Sequence, residues 1–163
     1  MKIIAFDQST TATGWAVLKK DTAEIVEYGV LKPKGETNDR IIQTIKQCLW
    51  LVEEHQVAFV FMEGVQYQRN ARVFEILAKL AGSLEIMLIE KGYFVNVVKS
   101  SEWRRLVGVK GRKRGDVKKE AHKLVEELYG IQASEDEVEA ILFARAFTDV
   151  PKPRTNIADA IKK

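Results

Sequence analysis

Apolar and polar positions change period twice along the chain. Residues 2–6 form a short apolar run that closes on Asp7, and a polar turn rich in Ser and Thr ends at Gly14. Residues 15–18 form a second apolar stretch. Residues 24–31, where apolar and polar positions partly alternate, form a third before the break Pro33-Lys34-Gly35. Short connections between these strands predict an antiparallel meander. Ile41, Ile42, Ile45, Leu49 and Val52 then share one face of a helix whose N-cap is Asn38 or Asp39.

The uninterrupted apolar run 57–62 suits a strand covered on both faces, and it ends in Glu63. After a loop at 64–70, Phe74, Leu77, Ala81, Leu84 and Leu88 mark the seam of a second helix. Ala78, Ala81 and Gly82 thin one flank of it, which permits close approach of another helix. A fifth strand is expected at 93–98, a short helix at 101–107 and a basic loop at 108–115. Val117, Ala121, Leu124, Val125 and Leu128 mark a further helix. The last helix starts at Ser134, where Ser134 and Glu137 form a capping box, and runs to about Phe147 before VPKP stops it.

The order βββαβαβ followed by helices predicts an α/β fold with a mixed five-stranded sheet flanked by helices. Residues 1–150 form the domain and 151–163 a short C-terminal tail. Strands one and four are expected as parallel central neighbours. Asp7 and Glu63 then emerge at one edge of the sheet, where open α/β sheets place their sites.

Size and composition add bounds. The 163 residues fit a single domain with a sizeable core, and the net charge of +3 says little by itself. Its distribution says more. Lys99, Arg104, Arg105, Lys110, Arg112, Lys113, Arg114, Lys118 and Lys119 face only Glu102 and Asp116 within one segment, a composition that attracts a polyanion. Cys48 is alone, which excludes an intrachain disulfide, and it is expected as a structural thiol. The apolar start is too short for a signal peptide, and no apolar run approaches the ~20 residues that cross a bilayer. A cytoplasmic protein without membrane contact is expected. His55 and His122 are expected to be solvated, Trp103 to dock its helix, and Trp15 and Trp50 to pack in the core or between subunits.

Asp136 and Glu139 are three apart and share a helical face. Acids near a helix N-terminus are also stabilised by the exposed amides there, and Glu135 competes for the same role. If the helix packs beside the central strands, its acids meet Asp7 and Glu63. Carboxylates gathered in this way repel unless cations neutralise them. Oxygen ligands without a Cys or His cluster suit Mg²⁺ or Mn²⁺ rather than structural zinc. Two such ions about 3.5–4 Å apart activate water and stabilise a leaving oxygen in phosphodiester cleavage.

These residues, taken in order, resemble the RuvC-type Holliday-junction resolvases of the ribonuclease H and retroviral-integrase superfamily, particularly the small versions carried by phages. The opening acid followed by a turn and TGY or TGW corresponds to Asp7, QSTTA and Thr13-Gly14-Trp15. The second acid, before a short loop and an Asn, corresponds to Glu63 and Asn70 in FMEGVQYQRNA, and the terminal motif to Asp136-Glu137-Val138-Glu139-Ala140. The resemblance spans residues 1–147. It implies a ribonuclease H-like fold, two Mg²⁺ ions replaceable by Mn²⁺, and Asp7, Glu63, Asp136 and Glu139 as metal ligands. It further implies a homodimer that nicks branched DNA in symmetric pairs, leaving 5′-phosphate and 3′-hydroxyl ends, in a bacterial cell or a phage-infected host.

Three positions depart from the family pattern. Glu139 stands where a final Asp is usual. Arg114 stands where Lys is usual, with Lys113 one place away as a substitute; both are candidate catalytic residues. The loop aromatic falls at Gln66, with Tyr67 beside it.

For DNA binding the candidates are Arg104, Arg105, Lys110, Arg112, Lys113, Arg114, Lys118 and Lys119, with Tyr67, Arg69, Asn70 and Arg72 on the loop after Glu63. A solvated charge run and a loop-packed tyrosine are the alternatives. Two other functions compete. One is a branched-DNA-binding protein with a weak or inactive site. The other is an actin-like phosphotransferase, which needs two such domains and more chain than is present.

Overall fold

The structure is a computed structural model, and it describes residues 1–111 and 113–152. Strands β1 (Lys2–Asp7), β2 (Thr13–Lys19) and β3 (Ile25–Leu31) lead into α1 (Thr37–Glu54). β4 (Phe59–Glu63), α2 (Ala71–Glu90) and β5 (Phe94–Val98) follow. Three helices close the order: α3 (Ser100–Val107), α4 (Arg114–Tyr129) and α5 (Glu135–Arg145). The sheet runs β3-β2-β1-β4-β5. β1 pairs antiparallel with β2 and parallel with β4, so the expected central neighbours are neighbours.

Strand alternation divides the core in two. Ile4, Phe6, Trp15, Val17, Val60 and Met62 face α1 and α2. Ile3, Ala5, Ala16, Leu18 and Phe61 face the other way, towards α3, α4 and α5. α5 lies across β1, β2 and β3 and is covered again by α3 and α4. Its residues Val138–Ala144 are buried without a break, as expected of a helix enclosed on all sides. Ser134 and Glu137 form the predicted capping box.

Several expectations are corrected. α1 starts earlier than expected, with Glu36 rather than Asn38 or Asp39 at the cap and no side-chain cap bond, and Asp39 sits in the first turn, where the exposed amides favour an acid. The buried seam of α2 is Leu80, Leu84 and Leu88, while Phe74 lies at the surface. Ile42 also points outward. Gly14 belongs to β2 rather than ending the turn. Arg114 and Gly115 open α4 instead of extending the basic loop. Trp15 is core, but Trp50 is 59% exposed, so its core assignment fails. His55 is 9% exposed rather than solvated: its imidazole lies 3.0 Å from Glu27 and packs against Trp15. Cys48 is fully buried, and burial pushes its thiol pKa up, away from the reactive range. Arg112 and tail residues 153–163 lie outside the described residues.

Candidate active site

Parallel pairing of β1 and β4 brings their C-terminal ends together, with Asp7 closing one strand and Glu63 the other. Gln8 ties the two tips. Its side-chain amide donates to the Glu63 carbonyl, and the Glu63 amide donates 3.2 Å to Gln8 Oε1. One side chain thus extends the backbone ladder past Asp7. The polar turn 8–12 is held in shape by Ser9 Oγ, which donates to the Ala12 carbonyl, and by Thr13 Oγ1, which donates to the Ser9 carbonyl.

Asp136 arrives from the first turn of α5. Gly14 pairs with Asp7 across the β1–β2 ladder, and the Asp136 backbone lies directly over it: a Cβ at position 14 would sit 2.8 Å from the Asp136 carbonyl carbon and nearer still to its oxygen. The bare backbone at position 14 therefore sets how closely α5 approaches the strand tips. Glu139 follows one turn later and is 8% exposed.

Asp7, Glu63, Asp136 and Glu139 all line one cavity of about 520 Å³, together with Gln8, Arg104, Arg114 and Lys118. Burial raises the Asp7 carboxyl pKa well above its ordinary value, and the charges of Glu63, Glu139 and Asp136 raise it further; Arg104 acts in the opposite direction. Glu63 is raised by burial and by Glu139, against the Trp103 hydrogen bond and Arg104. Asp136 is raised by burial and Glu135, with Lys32 and Lys118 opposing. The charges of the other three acids all bear on Asp7, and the four line one cavity because α5 packs across β1 and β2, which the helical spacing alone left open. Glu135, the competing candidate, lines the same cavity and lies 2.6 Å from Lys118 Nζ.

The donor set fits a hard divalent cation: oxygen ligands only, with carboxylates that raise one another's pKa and call for positive charge. Among the described residues, however, no group of three His, Cys, Asp or Glu side chains is arranged to hold a metal ion. Two of the acids have other partners. Trp103 Nε1 donates 3.1 Å to Glu63 Oε2, and Arg104 Nη2 donates 2.9 Å to Glu139 Oε2.

The other sequence candidates fall into distinct places. Arg114 borders the cavity, whereas Lys113 is the N-cap residue of α4 and is exposed. Arg105, Lys110 and Lys119 are exposed, and Lys118 lines the cavity while paired with Glu135. Tyr67 is 84% exposed and packs against Phe74; Arg69 and Arg72 are exposed beside it. Asn70 caps α2, its side chain accepting from the amides of Arg72 and Val73.

Trp103 is buried at 1% and docks α3, as expected. Its bond to Glu63 was not legible, because nothing in local periodicity says where an indole N–H points. The link from Gln66 Nε2 to Ser100 Oγ, joining the loop after β4 to the start of α3, was equally hidden.

The family model described as crossover junction endodeoxyribonuclease RuvC matches residues 3–161. A protein of that description from Campylobacter hominis is 27% identical over 134 residues, covering 80% of this chain and 83% of that protein. Among solved structures, Thermus thermophilus RuvC in complex with a Holliday junction substrate superposes with a TM-score of 0.74 at 14% identity, covering 90% of this chain and 92% of that one. The yeast mitochondrial Holliday junction resolvase gives 0.55 at 14% identity, covering 89% and 76%. At these identities the superpositions establish the shared fold. No helix among the described residues is long and apolar enough to cross a membrane.

Proposed function

Since the chain belongs to the RuvC family of crossover junction endodeoxyribonucleases, we propose that it is a divalent-metal-dependent endonuclease that cuts branched DNA, four-way junctions above all, by paired nicks leaving 5′-phosphate and 3′-hydroxyl ends. The observation that carries this reading is the meeting of Asp7, Glu63, Asp136 and Glu139, from two strand ends and one helix, on a single cavity. Asp7, Glu63, Asp136 and Glu139 would hold two Mg²⁺ ions, replaceable by Mn²⁺, which when bound neutralise the attacked phosphate and supply a nucleophilic water.

The chain's own groups do the rest. Asp7 is fixed at the end of β1 by its pairing with Gly14, and Glu63 at the end of β4 by its pairing with Val98. Arg114 and Lys118, on the α4 wall of the cavity, place positive charge where a strand phosphate enters, and Lys113 lies one residue outside it. Arg114 stays charged throughout, so it clamps phosphate rather than donating a proton. Arg105, Lys110, Lys113 and Lys119 extend the basic surface, holding DNA by its backbone without reading sequence. Tyr67, exposed beside Arg69 and Arg72, offers a stacking surface for an unpaired base at the branch point.

A homodimer completes the reading, since paired cuts in a two-fold substrate call for two-fold symmetry. The outward face of α2 supports it. Phe74, Ala78, Gly82, Ile86 and Ile89 follow one another at helical spacing, with Phe74, Ile86 and Ile89 exposed and open space above Gly82.

The test compares wild type with Asp7→Asn on labelled four-way, three-way and linear DNA, with Mg²⁺ and with chelator. Metal-dependent nicking of branched DNA, lost in Asp7→Asn, is the expected result. Absence of any such cleavage refutes the enzymatic reading, and binding without cutting supports an inactive DNA-binding protein instead.

A further inference from the structure

Glu139 lies near the start of the buried stretch of α5, between Val138 and Ala140. A carboxylate at that depth needs a compensating charge, and Arg104 of α3 supplies it at 2.9 Å. Arg104 borders the same cavity as Asp7 and Glu63, and its charge opposes the pKa increase of both. It is therefore a monovalent cation that acts on Asp7, Glu63 and Glu139, not a residue on the outer basic surface as its sequence context suggested.

Its fit is incomplete. A guanidinium fixed for purely structural reasons normally has its donors satisfied, yet Arg104 Nε is buried without a hydrogen-bond partner. The guanidinium leans on the Trp103 ring, 5.1 Å from its centroid, and that same indole donates to Glu63. Consecutive residues on one turn of α3 thus take one oxygen each from Glu63 and Glu139, two of the four acids that a pair of divalent ions needs.

Resting on the nuclease reading above, we infer that Arg104 is a built-in counter-cation of the acidic cavity: it holds Glu139 in the metal-free protein and competes with the divalent ions for it. This makes Arg104 a positioning residue that sets metal affinity. It also gives the extra methylene of Glu139 a role, because the longer arm lets one carboxylate serve either the guanidinium or the cavity.

The experiment measures Mn²⁺ binding directly, by the electron paramagnetic resonance signal of the free ion, without DNA. Arg104→Met is expected to bind Mn²⁺ at least about tenfold more tightly than wild type, because the competitor is gone. Arg104→Gln, which keeps a hydrogen-bond donor for Glu139 but not the charge, is expected to do the same, and it serves if the methionine variant loses its fold. Arg104→Lys keeps the charge and is expected to stay close to wild type. Unchanged or weaker Mn²⁺ binding in the folded neutral variants overturns the inference, provided that wild type binds at a site Asp7→Asn removes. If neither wild type nor the folded neutral variants bind Mn²⁺ at a site that Asp7→Asn removes, the nuclease reading and this inference fall together.

Discussion

Replacing Gly14 with alanine is the sharpest perturbation of the site that leaves every ionisable group in place. Gly14 lies in β2 directly opposite Asp7, in extended backbone that alanine adopts without strain. The added Cβ would fall 2.8 Å from the Asp136 carbonyl carbon, with the carbonyl oxygen closer still. Both obstacles are backbone atoms, so no rotamer change relieves them, and the first turn of α5 has to retreat. Overpacking of this kind destabilises by about 1–3 kcal/mol, and in a chain of this size that lowers Tm by roughly 2–12 °C.

Activity is expected to suffer more than stability. The retreating turn carries Asp136, and a displacement of about 1 Å in a catalytic group can reduce rate on the order of 100-fold. DNA affinity should hold, because the basic residues sit on α3, α4 and the loop between them rather than on α5. The assay is single-turnover cleavage of a labelled four-way junction in Mg²⁺, alongside thermal unfolding and binding in chelator. Wild-type cleavage and wild-type Tm in Gly14→Ala would refute the argument that close approach at Gly14 places Asp136.

Other consequences follow from the same geometry. In chelator, stability is expected to fall as pH rises above the usual carboxylate range. The folded protein holds its Asp7 proton to higher pH than the unfolded chain, so this contribution is present at low pH and lost through the raised folded pKa. Urea midpoints at several pH values should show a shallower decline in Asp7→Asn, and an equal slope would count against the cluster. Trp103→Phe removes the donor to Glu63 together with part of a buried ring, at a cost of at least about 1.5–3 kcal/mol in equilibrium unfolding; no loss would mean that the bond is not formed in solution. Asn70→Ala removes the α2 cap and should cost about 1 kcal/mol, with Asn70→Asp restoring it. A Cβ at Gly82 meets nothing within 4 Å among the described residues and arginine favours the helix, so Gly82→Arg should preserve Tm while converting a dimer to a monomer in sedimentation. A Gly82→Arg protein that remains dimeric would exclude the α2 face.

The strands and helices were legible because their periods of 2 and 3.6 are written locally. The uninterrupted apolar run 57–62 predicts a strand with two covered faces, and the Ser134–Glu137 spacing announces its helix. Asp7 and Glu63 were legible for the same reason: each closes an apolar run, and parallel neighbours bring such ends together. Errors came where tertiary contact overrides local pattern. Phe74 has the right spacing for the α2 seam but lies at the surface beside Tyr67, and His55 is drawn inward by Trp15 and Glu27.

What the chain determined by itself was the inventory: four acids at definable places on strands and a helix, a basic segment, and a motif order that the RuvC family shares. What only the tertiary structure decided was how those acids are held. Trp103 and Arg104 read as a docking residue and a surface charge until α3 is laid against α5 and β4, where they become the partners of Glu63 and Glu139. Gly14 likewise reads as a turn residue until the Asp136 backbone is placed over it. Periodicity reports which face of an element is buried, whereas the charge that a buried carboxylate meets depends on residues 35 and 40 positions away in the chain, brought within 3.1 Å only by packing.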